Sequence, residues 1–173
     1  MIPDSSHTHL AETEIAVRLL LAAGFGALVG FERELRDRPA GLRTHMLIAL
    51  AAAMFTILAF EIFHEVRAYD KTTNIDPLRL VEAVTAGVAF LAAGTILQSR
   101  GKVKGLTTGA GMWLAGSLGL ACGAGFYTIA VMGGLLTLFI LSILSYIERR
   151  YFPDGDIAKK ETSREDPSAR RTA

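Results

Sequence analysis

The sequence predicts an all-α fold, a polytopic membrane helix bundle of about five transmembrane helices with the amino terminus outside and the carboxyl terminus in the cytoplasm. First, the 43 residues from Gly105 to Ile147 contain no Asp, Glu, Lys, Arg or His and break near Gly123-Ala124-Gly125. At about 1.5 Å per residue such a run crosses a bilayer twice. Second, 51% of the 173 residues are hydrophobic while only 8% are aromatic, and the mean hydropathy is +0.36. The apolar mass is Ala, Leu, Gly, Val and Ile, and seventeen glycines suit helices that associate in lipid by close backbone packing. Third, Lys and Arg are spread unevenly over the connecting segments, which sets an orientation.

In chain order, uncharged or nearly uncharged stretches run from Ile15 to Phe31, His45 to Phe60, Ala83 to Leu97, Leu106 to Gly123 and Phe126 to Ile147, each expected as one helix. Several are short for a hydrocarbon core of about 30 Å, so the helices are expected to extend into flanking polar residues or to sit inside an oligomer. The first connector carries Arg33, Arg36, Arg38 and Arg43, the third Arg100, Lys102 and Lys104, and the tail seven more basic residues. Only Arg67, Lys71 and Arg79 lie on the opposite side. Basic residues gather in cytoplasmic loops, and the resulting arrangement needs an odd number of helices.

Residues 1–13 then form a polar amino-terminal segment, 14–147 the transmembrane domain, and 148–173 a polar cytoplasmic tail expected to be disordered. Asp4 and Glu12, with no Lys or Arg before Thr13, lack the basic start of a cleaved signal peptide. A formal net charge of +1 marks no nucleic-acid partner. A single cysteine, Cys122, excludes an intrachain disulfide and is expected as a small packing residue.

Small residues recur four apart at Gly26 and Gly30, at Ala115, Gly119 and Gly123, and at Thr85, Ala89 and Ala93, each set lining one helical face. Arg18 and Glu82 fall inside their spans, where an unpaired charge costs about 2.5 to 3.5 kcal/mol on insertion scales. The orientation places them at one depth, so an interhelical Arg18–Glu82 pair is expected, with Glu14 a competing partner one turn before Arg18 and snorkelling to the outer interface the alternative. Glu61, Glu65, Asp70, Asp76 and Glu82 make the outer side acidic, either as a loose cation-attracting surface or as solvated loop charge.

The first connector, Gly30-Phe31-Glu32-Arg33 through Ala40-Gly41-Leu42-Arg43-Thr44, is densely charged and punctuated as a turn by Pro39 and Gly41. Arg33 and Arg43 can pair with Glu32 or Glu34, hold lipid phosphates, or face an anionic partner. This block, with Gly87-Val88-Ala89-Phe90-Leu91-Ala92-Ala93-Gly94-Thr95-Ile96 and Val103-Lys104-Gly105-Leu106-Thr107-Thr108-Gly109-Ala110-Gly111-Met112-Trp113, resembles the MgtC/SapB family of bacterial inner-membrane proteins over about residues 17–147. Ala89 and Ala92 stand where the family pattern often has Gly, and Thr107 where Asn is common in some members.

The resemblance implies a small multi-helix protein of the bacterial inner membrane linked to growth at low magnesium. It also implies regulation of other membrane proteins, or Mg²⁺ transport as an oligomer. The soluble domain that many members carry after the helices is not expected, since a short polar tail follows Ile147. The candidate functional residues are Arg18, Glu32, Arg33, Arg43, Glu82, Thr107, Thr108 and Trp113. No firm metal ligands, resident cofactor or enzymatic activity is expected: G-x-x-x-x-G-K, H-E-x-x-H and G-x-S-x-G are all missing from the sequence, and Mg²⁺ enters only as a ligand or transported ion. The expected partners are the lipid bilayer and either a second copy of the chain or another membrane protein.

Overall fold

The computed structural model describes residues 8–70, 72, 76, 78–99 and 102–151. Five helices follow one another: α1 Glu12–Glu34, α2 Leu42–Tyr69, α3 Leu78–Gly94, α4 Leu106–Gly123 and α5 Tyr127–Tyr151. The number agrees with the sequence pattern, and the spans are longer where they were short. Helix α2 continues through the charged stretch Glu61–Tyr69 to reach 28 residues. By length and composition α1 and α2 can each cross a membrane. The tail beyond Tyr151 lies outside the described residues, as do residues 1–7 of the amino-terminal segment.

The connector between α3 and α4 is a two-stranded antiparallel ribbon, β1 Leu97–Ser99 with β2 Lys102–Lys104, pairing Leu97 with Lys104. The sequence pattern placed Leu97 in the third helix and read the rest as a loop. Helix α3 instead stops at Gly94, and Thr95 Oγ1 bonds back to the Ala92 carbonyl. Gly105 joins the ribbon to α4 at a φ of 89°, and a Cβ there would collide with the Thr95 carbonyl.

Contacts divide the chain into two compact units, Met1–Leu138 and Phe139–Ala173, the described part of the second being the carboxyl half of α5. Within the first unit, three helices form the seam. Helices α1 and α2 run antiparallel: a Cβ on Gly26 would sit 2.6 Å from the His45 carbonyl, and one on Gly30 2.7 Å from the Leu42 Cα. Helices α2 and α4 run parallel, with Gly119 against the Ala49 carbonyl and Gly123 against that of Ala53. Both glycine sets expected to mediate packing do so, and Ala22, Ala49, Ala53, Ala115 and Cys122 fill the seam.

Helix α3 leans on α4 through Val88 and Ala92, which meet Gly116 and Gly109. The expected small-residue face Thr85, Ala89, Ala93 is therefore not the packed one: Ala89 and Ala93 are exposed. Between α2 and α3 an apolar groove of about 540 Å³ remains, walled by Ala52, Phe55, Ala59, Ala83 and Gly87 among others. The first half of α5 joins Ala130 to the cluster of Ala22, Ala53 and Cys122.

The charges at the α1 amino end settle differently from the expected Arg18–Glu82 pair. Arg18 binds Glu14 on its own helix, Nε donating to Oε1 at 3.1 Å, and its Nη1 donates to the Gly123 carbonyl at 2.7 Å. Glu82 is exposed on α3. Helix α4 ends there in a Schellman turn, Phe126 N bonding the Ala121 carbonyl around Gly125 at a φ of 81°, so Arg18 takes a carbonyl left free by the last turn. The acidic side chains nearby serve the backbone: Glu61 accepts from His9 N and Leu10 N, Asp70 from Thr72 N, and Asp76 from Leu78 N.

Overpacking a helix seam costs about 1 to 3 kcal/mol even where neighbours can yield, and more where the obstacle is backbone. Gly119→Val and Gly26→Val are therefore expected to lower thermal stability sharply in detergent, whereas Gly24→Ala and Gly87→Ala, whose Cβ atoms meet nothing within 4 Å, leave it unchanged or raise it slightly.

Candidate functional site

At the opposite end of the seam, the last turn of α1 and the first turns of α2 and α4 converge. Helix α1 closes in a Schellman turn, with Asp37 at a φ of 50° and Arg38 N bonding the Arg33 carbonyl at 3.2 Å. The turn delivers Glu34 to α2, where Oε2 accepts from Leu42 N at 3.0 Å and caps the helix. A side chain on Gly41 would occupy the place of the Glu34 carboxylate, and Ala40 is buried with Ile48, Met112 and Ala115. Gly30, Glu34, Ala40 and Gly41 thus form one joint, which accounts physically for the first motif.

Under this joint lies the buried charge. The Arg33 side chain is 2% exposed, its Nη2 donating to Thr108 Oγ1 on α4 at 3.4 Å and its Nη1 lying 3.9 Å from Glu32 Oε2. Glu32, 9% exposed, also pairs with Arg36 in the turn. His45 on α2 is wholly buried, and its Nδ1 donates to the Gly41 carbonyl at 2.8 Å. A carbonyl can only accept, so the ring hydrogen sits on Nδ1 and Nε2 carries a lone pair when the ring is neutral. Arg33 Nε, His45 Nε2 and both carboxylate oxygens of Glu32 have no hydrogen-bond partner among the described residues, the carboxylate being held by its ion pairs alone. Each such buried atom costs about 1 to 3 kcal/mol.

Of the eight residues singled out from the sequence, Glu32, Arg33 and Thr108 are brought together here. Arg43 and Thr107 sit beside them in the chain but face outward. Trp113 is 47% exposed and lines a recess of about 170 Å³ between α3 and α4 with Val84, Thr85 and Ser117. Arg18 and Glu82 lie elsewhere, Arg18 on the carboxyl end of α4 and Glu82 on the exposed side of α3. His45 was not among the candidates, although it is the lone ionisable residue in the stretch His45 to Phe60, which was the available signal. No group of three or more His, Cys, Asp or Glu lies together among the described residues.

Removing one partner of a buried ion pair costs about 3 to 5 kcal/mol, because the other charge stays behind. Arg33→Met is expected to lose stability on that scale in thermal unfolding of the solubilised protein, while Arg43→Ala, an exposed position, shifts the midpoint little.

Comparison with known proteins places this geometry in a family. Residues 19–150 match the family model described as MgtC family. Among curated relatives, the chain is 36% identical over 137 residues to YhiD of Escherichia coli K12, whose name provisionally calls it a magnesium transporter, covering 79% of this chain and 63% of that protein. It is 38% identical over 144 residues to protein SapB of Bacillus subtilis, covering 83% and 62% of the two chains. To protein MgtC of Brucella abortus it is 37% identical over 125 residues, covering 71% and 48%. The chain thus spans between about half and two thirds of the length of these relatives. No solved structure matches it. With the three motif blocks inside the matched residues, the chain belongs to the MgtC family.

Proposed function

We propose that the chain is a multi-pass protein of the bacterial inner membrane that serves magnesium homeostasis, or adaptation to low magnesium, by regulating a membrane partner. Support for the membrane comes from α1 and α2 and from the outer surface, where Leu20, Leu47, Phe55, Phe90 and Leu135 are exposed. So extensive an apolar surface is stable in lipid and a liability in water. The amino terminus outside and the carboxyl terminus in the cytoplasm follow from the placement of Lys and Arg.

The observation that carries regulation over conduction is the filling of the seam. Ala22, Ala49, Ala53, Ala115 and Cys122 are wholly buried where the backbones of α1, α2 and α4 meet. Mg²⁺ gives up its water reluctantly and needs convergent oxygens along a path; the middle of this seam presents methyl groups and closed backbone instead. The exposed Trp113 beside the α3–α4 recess, and the groove between α2 and α3, offer surfaces to a partner's helices. The name of the Escherichia coli relative favours a second proposal, Mg²⁺ transport by an oligomer whose path lies between copies.

The test is Mg²⁺ flux into proteoliposomes holding folded protein, beside Glu82→Gln, Arg43→Ala and empty liposomes. No flux above the empty vesicles is expected; saturable flux that Glu82→Gln abolishes would establish transport. A companion measurement in cells separates the two proposals further. Trp113→Ala is expected to fold normally and to lose support of growth at low magnesium, whereas Glu82→Gln retains it.

A further inference from the structure

The space between α2 and α3 is apolar along its length and charged at one end. Its main part is the groove of about 540 Å³, walled by Ile48, Phe55 and Ile62 of α2 and by Ala83, Gly87 and Leu91 of α3, with no polar side chain among the residues that line it. On α2 the lining runs from Ile48 to Ile62, which at about 1.5 Å per residue is about 21 Å, more than the roughly 15 Å of hydrocarbon in one leaflet. Toward the amino end of α3 the groove passes into a second recess of about 340 Å³, since Ala59, Ile62 and Leu80 line both. There the wall includes two charged residues, Asp76 and Arg79. They are not spent on each other: no ion pair joins them among the described residues. Asp76 Oδ1 accepts from Leu78 N at 2.9 Å and caps α3, which leaves Oδ2 open, and the exposed Arg79 guanidinium has no partner among the described residues. A second cation stands close by, for Arg67 lies 5.4 Å over the ring of Phe63, another wall of the recess. The neighbouring carboxylates are placed otherwise: Glu61 holds the backbone of His9 and Leu10, and Glu82, exposed one turn after Arg79, lines neither space.

We propose that the groove and its recess hold one phospholipid, phosphatidylethanolamine, with an acyl chain between α2 and α3 and the headgroup at Asp76 and Arg79. An apolar groove left empty forfeits dispersion contacts along both walls, and it offers water no polar partners, so a hydrocarbon chain is the occupant that suits it. The charged end then selects the headgroup. A phosphodiester accepts from the Arg79 guanidinium, and a primary ammonium donates to Asp76 Oδ2. Phosphatidylcholine carries the same two charges without an N–H to donate, and phosphatidylglycerol brings only neutral hydroxyls to the carboxylate. Under the orientation read from the basic residues, Asp76 and Arg79 are on the outer side, so the lipid belongs to the outer leaflet. The inference rests on the membrane reading proposed above and on neither regulation nor transport; a lipid seated between α2 and α3 forms part of the surface that a partner's helix meets there.

The experiment is native mass spectrometry of the full chain released from nanodiscs of equal parts phosphatidylethanolamine, phosphatidylcholine and phosphatidylglycerol with identical acyl chains. One retained lipid per chain is expected, phosphatidylethanolamine exceeding each of the others about tenfold. Asp76→Asn keeps the cap on α3 and loses the charge, so the preference for phosphatidylethanolamine is expected to fall to near parity, while Arg79→Gln lowers retention of all three lipids. Gly87→Leu puts a side chain into the groove from a position whose Cβ meets nothing within 4 Å and where leucine suits a helix better than glycine. It is expected to abolish retention with the fold intact, as judged by circular dichroism. Equal retention of the three lipids, retention that survives Gly87→Leu, or a preference untouched by Asp76→Asn would overturn the site. A dimer that excludes lipid and is broken by Gly87→Leu would give the groove to a second copy and overturn it as well. A chain soluble without detergent would overturn the membrane reading together with this proposal, whereas a folded chain in discs that retains no lipid overturns the proposal alone.

Discussion

The structure depends on one constraint: the backbones of α1, α2 and α4 approach so closely that four positions along the seam have no space for a side chain. Gly26 and Gly30 bring α1 onto α2, and Gly119 and Gly123 bring α4 onto the same helix. Helix α2, contacted on two sides, is the common element, and its alanines at 49 and 53 face both neighbours. On the membrane reading proposed above, helices gain little from apolar burial against one another, and dispersion between closely fitted surfaces holds them. The more open α3, fixed mainly to α4, shows the contrast: Cβ atoms on Gly87 and Gly94 would meet nothing within 4 Å, and a groove separates α3 from α2.

The same closeness explains the polar joint. Helix ends leave backbone groups unpaired, and a seam this narrow admits only side chains that satisfy them from a distance or lie flat between the helices. Glu34 caps α2 from the last turn of α1, and Arg33 extends between the helices to Thr108. His45 gives its one ring hydrogen to Gly41 and turns the rest of its imidazole toward α4. The charged residues of the first motif thus divide into two populations, one buried in the joint and one, represented by Arg43, directed outward.

How much of this was legible depended on whether the signal was local. The five helices could be read because charge-free runs and spacings of four are properties of contiguous sequence, and Gly26, Gly30, Gly119 and Gly123 packed as their spacing implied. The extension of α2 through Glu61–Tyr69 was missed because charge was taken as the boundary of a helix, whereas charge only bounds the apolar part of one. The ribbon at 97–104 was missed because two three-residue strands fall below any useful period. The Arg18–Glu82 pair was expected from depth, and depth does not say which face a residue occupies; Glu14, the competing partner one turn back that the sequence also offered, holds Arg18 together with a helix-end carbonyl. His45 resembled the polar start of an apolar span, and its burial became visible only with Gly111 placed opposite it.

The two arginines of α1 give the bundle a fixed length. Arg18 bonds α4 at Gly123 and Arg33 bonds it at Thr108, so the same fifteen-residue interval on each of two antiparallel helices is tied at both ends. At about 1.5 Å per residue the ties stand about 22 Å apart, less than the usual hydrocarbon thickness of about 30 Å. Neither helix can slide along the other to lengthen the pair without releasing a guanidinium. The register of α1 against α4 is thereby fixed at two points, although α1 itself continues past both of them, from Glu12 to Glu34.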